Sequence, residues 1–135
     1  MISRDYKQSL QQMYAEQVFQ GKLAKYDLIR SFIESKKPQT VLDYGCGVGR
    51  YIEAIQKDFN ITVDGFDPGI AQYEKYPTGQ YDCVICNDVI EHIEPVYLDQ
   101  TLTAMQDLFK DSAWFIIACY PAKKKLPDGR NAHLT

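Results

Sequence analysis

Three glycines within five residues, Gly45-Cys46-Gly47-Val48-Gly49, follow directly on the run Thr40-Val41-Leu42-Asp43-Tyr44 and precede the helical spacing of Ile52, Ile55 and Phe59. A short buried strand that runs into bare backbone and then into a helix is the repeating unit of an open α/β sheet, and it constrains this chain more than any other stretch. Glycine has no Cβ, so a ligand can approach the bend itself, and the next helix offers unpaired N–H groups at its start.

The rest of the chain agrees with that unit. Further strands are expected at residues 61–66, 82–86 and 113–119, each short and apolar in the manner of buried parallel strands. Between and before them the apolar period becomes helical. One helix is expected over residues 4–19, a second runs from Leu23 through Ile33 until Pro38 closes it, and a third covers residues 51–59. A fourth starts at Pro95 and buries Leu98, Leu102, Met105, Leu108 and Phe109. Alternating strands and helices indicate an α/β fold with a mostly parallel sheet flanked by helices. A length of 135 residues suits one domain, read as a helical cap (1–38), a core (39–121) and a C-terminal loop (122–135).

Composition narrows the function. With 15 basic and 18 acidic residues the net charge is −3, which argues against nucleic acid as a partner. The first residues lack the apolar core of a signal peptide, and the longest apolar run, residues 113–120, is too short to span a bilayer. A cytoplasmic domain with no membrane partner is therefore expected. Cys83 and Cys86 form a C-x-x-C, but on a strand they point to opposite faces, so the four cysteines read as reduced core thiols.

Asp43 decides which ligand the bend suits. A dinucleotide loop has the spacing G-x-G-x-x-G and wraps an anionic pyrophosphate. Here the spacing is G-x-G-x-G with a carboxylate two residues ahead of the first glycine. That charge repels a pyrophosphate and holds a cationic amino group. With these residues the stretch 41–51 resembles the first motif of class I S-adenosylmethionine-dependent methyltransferases, and the resemblance extends over residues 40–121. It implies a Rossmann-like fold with S-adenosyl-L-methionine as cofactor, the loop of Asp43, Gly45, Cys46, Gly47 and Gly49 surrounding the methionine half. It also implies that Asp67, ending the next strand and followed by Pro68, holds the ribose hydroxyls, with Ile70 against the adenine. Residues 86–93 are similar to the family's fourth-strand motif, which brings in Asn87 and Asp88 as further cofactor contacts.

Two departures from the family stand out. Only 14 residues separate Asp67 from Asp82, so the family's third strand is expected to be reduced or absent. Only 16 residues follow Cys119, too few for the closing helix and β-hairpin, which points to a shortened member of the bacterial and phage type. The last strand would then have an uncovered edge, open to pairing with a second copy of the chain.

Methyl transfer depends on holding donor and acceptor in line, and an oxygen acceptor also needs a base. Asp88, Glu91 and His92 are the catalytic candidates, because spacings of three and four at the end of a strand bring them to one cavity. A carboxylate-and-imidazole set also suits a divalent metal that lowers a hydroxyl's pKa. Many family members carry a similar Asp-x-x-Glu-His without one, and no metal is assigned. His133 is a further candidate base and, with Asp88, Glu91 and His92, a candidate metal ligand, its other reading being a tail residue, and Lys123, Lys124, Lys125 and Arg130 read as a solvated basic loop or a landing for an anionic acceptor. Tyr14 is a further candidate to cap the cofactor. No Asn/Asp-Pro-Pro-Tyr/Phe motif and no Pro-Cys nucleophile occurs, so the expected acceptor is a small molecule, sugar- or nucleotide-linked, methylated at O or N. The alternative is a module that binds the cofactor without catalysis, as a subunit of a larger assembly.

Overall fold

The computed structural model describes residues 2–15, 23 and 25–135, with the side chains of 13–15 left aside. Its elements are α1 (Arg4–Ala15), α2 (Tyr26–Lys36), β1 (Thr40–Tyr44), α3 (Arg50–Asp58), β2 (Thr62–Phe66), β3 (Tyr81–Asn87), α4 (Pro95–Gln106) and β4 (Phe109–Ile116), with single 3-10 turns at Ala71–Tyr73 and Ile90–His92. Tyr14 and the last part of the helix expected over 4–19 lie outside the described side chains and residues.

The four strands form one parallel sheet in the order β2-β1-β3-β4. Parallel neighbours require helical crossovers, and these place helices on both faces. Strand alternation then sorts the apolar side chains. Val41, Val63, Cys83 and Ile85 pack with Ile29, Ile33, Ile52 and Ile55 from α2 and α3. Leu42, Tyr44, Phe66, Val84 and Cys86 pack with Met105 of α4 and with Leu108. Cys83 and Cys86 thus belong to opposite cores, as strand geometry requires, and all four cysteines are free thiols.

The final strand differs from its expected place. It starts at Phe109 rather than at residue 113, and α4 stops at Gln106. Leu108 and Phe109 fit a helical period and a strand equally well. The chain turns at Asp107, whose amide reaches the Ala104 carbonyl, and the Leu108 carbonyl then accepts from Tyr81 N at the start of β3. At the other end pairing stops at Asn87↔Ile116, because β3 itself ends there.

Between β2 and β3, residues 67–80 hold only the 3-10 turn, so the reduced third strand expected from the spacing is absent and β2 is an edge. A groove of about 520 Å³ lined by Ile52, Val63, Tyr73, Tyr76 and Tyr81 lies there instead. β4 forms the other edge, with Phe115 and Ile117 exposed. Beyond it the chain forms no strand, but it is well tied. Tyr6 of α1 packs on Leu126 and Ala132 in a third, smaller core, and the Asn131 side chain closes the segment on both the N–H and the carbonyl of Ala122. Among the described residues no helix is long and apolar enough to cross a membrane.

Candidate cofactor and active site

In a parallel sheet all strands end on the same side, and ligands of open α/β sheets sit at that carboxyl edge. Here the edge collects Asp43, Asp67, Asn87 and Glu91, from the ends of β1, β2 and β3 and the turn that follows.

The glycine bend is anchored first. The amides of Gly45 and Cys46 both donate to the Phe66 carbonyl, at 2.6 and 3.1 Å, which ties the bend to the end of β2. Gly49 caps α3 with φ of 86°, and Gly45 has φ of 80°, both in the left-handed region that favours glycine. A Cβ on Gly49 would fall 2.6 Å from the Tyr73 hydroxyl, and one on Gly45 would fall 2.2 Å from Val89 Cγ2. The bend therefore needs glycine for packing against its own protein, a reason that the spacing alone did not reveal.

Asp43 sits beneath this bend, 1% exposed, and its Oδ2 has no hydrogen-bond partner among the described residues. Burial, then the neighbouring Asp67 carboxylate, pushes the Asp43 carboxyl up to about 8. A buried carboxyl left half unsatisfied is costly unless something completes it. Asp67 is also buried but is already engaged. Its Oδ2 accepts from Gly47 N and its Oδ1 from Gly69 N, each at 2.8 Å. Cys46 is buried against this pair, Pro68 and Ile70 are partly exposed beside Asp67, and the Ile70 amide donates to the Asp67 carbonyl. Burial pushes the Cys46 and Cys86 thiols up, which leaves them protonated and unsuited to nucleophilic work.

The end of β3 divides the residues expected to act together. Asn87 presents a buried Oδ1 and Nδ2, neither with a partner among the described residues. Asp88 turns the chain with φ of 52° and points to solvent, where its carboxylate lies 3.7 Å from Lys25 Nζ. Glu91 turns inward instead, 1% exposed, with Oε1 accepting from Ala118 N at 3.0 Å and Oε2 without a partner among the described residues. The structure therefore groups Glu91 with His92 and separates Asp88 from both.

Sequence reading left one neighbour open between two roles and missed another. His133 is no loose tail residue: Leu134 N and Thr135 N both donate to the Glu91 carbonyl, and this brings the His133 ring to 4.9 Å from that of His92. The His92 ring nitrogen Nδ1 lies 2.6 Å from the Ala132 carbonyl, and burial lowers its pKa, so the ring is neutral. Tyr6 is the second. Its hydroxyl is buried without a partner among the described residues, and burial, reinforced by Asp67 and Glu94, holds it well above the usual phenol range. Its place in the apolar spacing of α1 gave only a core residue. Of the basic loop, Arg130 folds back onto Asp128 at 2.7 Å and the lysines are exposed.

Fold and edge together define a Rossmann-like α/β domain with acidic side chains gathered where the strands end. The chain belongs to the family described as "Methyltransferase domain", which matches residues 14–131, and it is an S-adenosylmethionine-dependent methyltransferase domain. Among solved structures it is similar to the "DhpI-SAH complex structure", at a TM-score of 0.62 and 14% identity over 96% of this chain and 78% of that one, a likeness of fold. No curated protein matches it.

Proposed function

We propose that this domain transfers a methyl group to an oxygen or nitrogen of a small-molecule acceptor, with the cofactor held by Asp43, the Gly45–Gly49 bend, Asp67 with Pro68 and Ile70, and Asn87. The observation that carries the reading is the orphaned oxygen of Asp43, a buried acid beneath bare backbone that an ammonium group would complete. Asn87 supports it with two more unsatisfied polar atoms at the same edge. The similar fold is that of a complex with S-adenosylhomocysteine, whose amino group is the one the cofactor carries.

When bound, S-adenosylmethionine supplies an electrophilic methyl on a cationic sulfur. The chain's own part is to orient it and to manage the acceptor's proton. In this reading Glu91 and His92 take that proton, supported by the burial that lowers the His92 pKa and favours the neutral, proton-accepting ring, and by Glu91 lying beside it. Asp88, paired with Lys25 on the outside, shapes the entrance in this reading rather than acting as base.

A thermal-shift titration with S-adenosylmethionine, S-adenosylhomocysteine and NAD tests the proposal. The first two raise the melting temperature by mass action and NAD does not. Stabilisation by NAD alone would overturn it. Methyl transfer to hydroxyl and amine acceptors, absent in a pure binding module, then separates enzyme from subunit.

A further inference from the structure

Glu91, His92 and His133 each offer one ligand atom, and these atoms all lie within 4.8 Å of one another. Both rings are oriented from behind. His92 Nδ1 faces the Ala132 carbonyl at 2.6 Å and His133 Nδ1 faces the Tyr120 carbonyl at 2.5 Å. A carbonyl only accepts, so each Nδ1 carries a proton, and Nε2 is the ring atom that can ligate. Glu91 is fixed in the same way, with Oε1 on the Ala118 amide and Oε2 left over, although the residue is only 1% exposed. One carboxyl group and two imidazoles thus meet at one place. Holding a ligand ring by a hydrogen bond from its far nitrogen to a carbonyl is how metal-binding histidines are oriented.

We propose that Glu91, His92 and His133 form a site for a divalent transition-metal ion. Two imidazoles and one carboxylate suit Zn²⁺, Co²⁺, Mn²⁺ or Fe²⁺ rather than Mg²⁺ or Ca²⁺, which prefer all-oxygen sets. Three protein ligands leave coordination positions open, as in catalytic rather than structural sites. The site also joins two distant parts of the chain. His133 belongs to the segment whose Leu134 and Thr135 amides sit on the Glu91 carbonyl, so the ion would pin the C-terminal segment to the turn after β3. Resting on the proposed function, the open positions would take the hydroxyl oxygen of the acceptor and lower its pKa so that its proton passes to water, Glu91 and His92 then serving as ligands in place of the base, with the cofactor left to the neighbouring bend.

The test is a titration of the chelator-treated chain with Co²⁺, read by its visible absorption, with Zn²⁺ as competitor. One Co²⁺ per chain, displaced by Zn²⁺, is expected. Glu91→Gln and His133→Gln should each weaken it about tenfold or more. Glu91→Gln keeps an oxygen for the Ala118 amide, and His133 is only half-buried, so native circular dichroism should accompany the loss. Cys119→Ser removes the exposed thiol that would bind the same ion adventitiously, and it should leave the titration unchanged. Hydrogen exchange of residues 122–135 should slow when Zn²⁺ is added. No saturable binding, or binding that survives both ligand variants, overturns the proposal. S-adenosylhomocysteine binding is measured on the same samples: cofactor bound without metal sinks this site alone, and metal bound without cofactor sinks the methyl-transfer reading alone.

Discussion

The side chain of Val89, just past β3, stands so close to Gly45 that a Cβ placed on the glycine would lie 2.2 Å from Val89 Cγ2. This contact locks the bend after β1 to the turn that carries Glu91 and His92, so the proposed cofactor cradle and the proposed acceptor side share one packed joint. Gly45→Ala meets both this overlap and a backbone φ of 80°. It should lower stability by about 3 kcal/mol. The double variant with Val89→Ala should recover about half, the steric part only, in a double-mutant cycle by urea unfolding. Simple additivity would show that the joint is not tight.

Asp67 is the second joint. It holds Gly47 N and Gly69 N by one carboxylate oxygen each, and hydrogen bonds to charged groups contribute about 1.5–3 kcal/mol apiece. Asp67→Ala should therefore destabilise the ligand-free chain by about 3 kcal/mol and weaken S-adenosylhomocysteine together with it. Loss of binding at unchanged stability would mean that Asp67 serves the ligand and not the loop.

Stability should depend on pH through Asp43. Its folded pKa, about 8, lies above the ordinary 3.8, so between these values the folded state holds a proton that the unfolded state has released. The contribution is complete below about pH 4 and falls by about 1.4 kcal/mol per unit as pH rises towards 8. Denaturant unfolding of Asp43→Asn should lack this slope. An identical slope in the variant would assign it to other groups.

Tyr6→Phe should raise the melting temperature of the ligand-free chain. The hydroxyl is buried with no partner among the described residues, and removing an unsatisfied polar group relieves a desolvation cost of about 1 kcal/mol. A fall in melting temperature would show that the hydroxyl is satisfied in solution.

Much of this was legible in the chain itself. The strand carrying Asp43 near its end and the glycine spacing fix local geometry within a dozen residues, and the short span from Asp67 to Asp82 leaves no room for a strand, which is how the sheet is built. The start of β4 was not legible, because Leu108 and Phe109 satisfy both periods and only the pairing of Leu108 with Tyr81 decides. Glu91, His92 and His133 were legible as candidates along with Asp88, but not which of the four meet. The acids and imidazole at 88–92 sit in one run, but a positive φ at Asp88 turns that side chain outward, and the approach of His133 from a distant part of the chain is a tertiary fact.

The most direct test is isothermal titration of S-adenosylhomocysteine into the wild-type chain and into Asp43→Asn, at neutral pH in buffers of different ionisation enthalpy. The wild type should bind with release of a proton, as the ligand's ammonium draws Asp43 into its charged form. The variant should bind at least about tenfold more weakly, at the level of one charged hydrogen bond, and release none. Equal affinity and equal proton release in the two proteins would contradict the account.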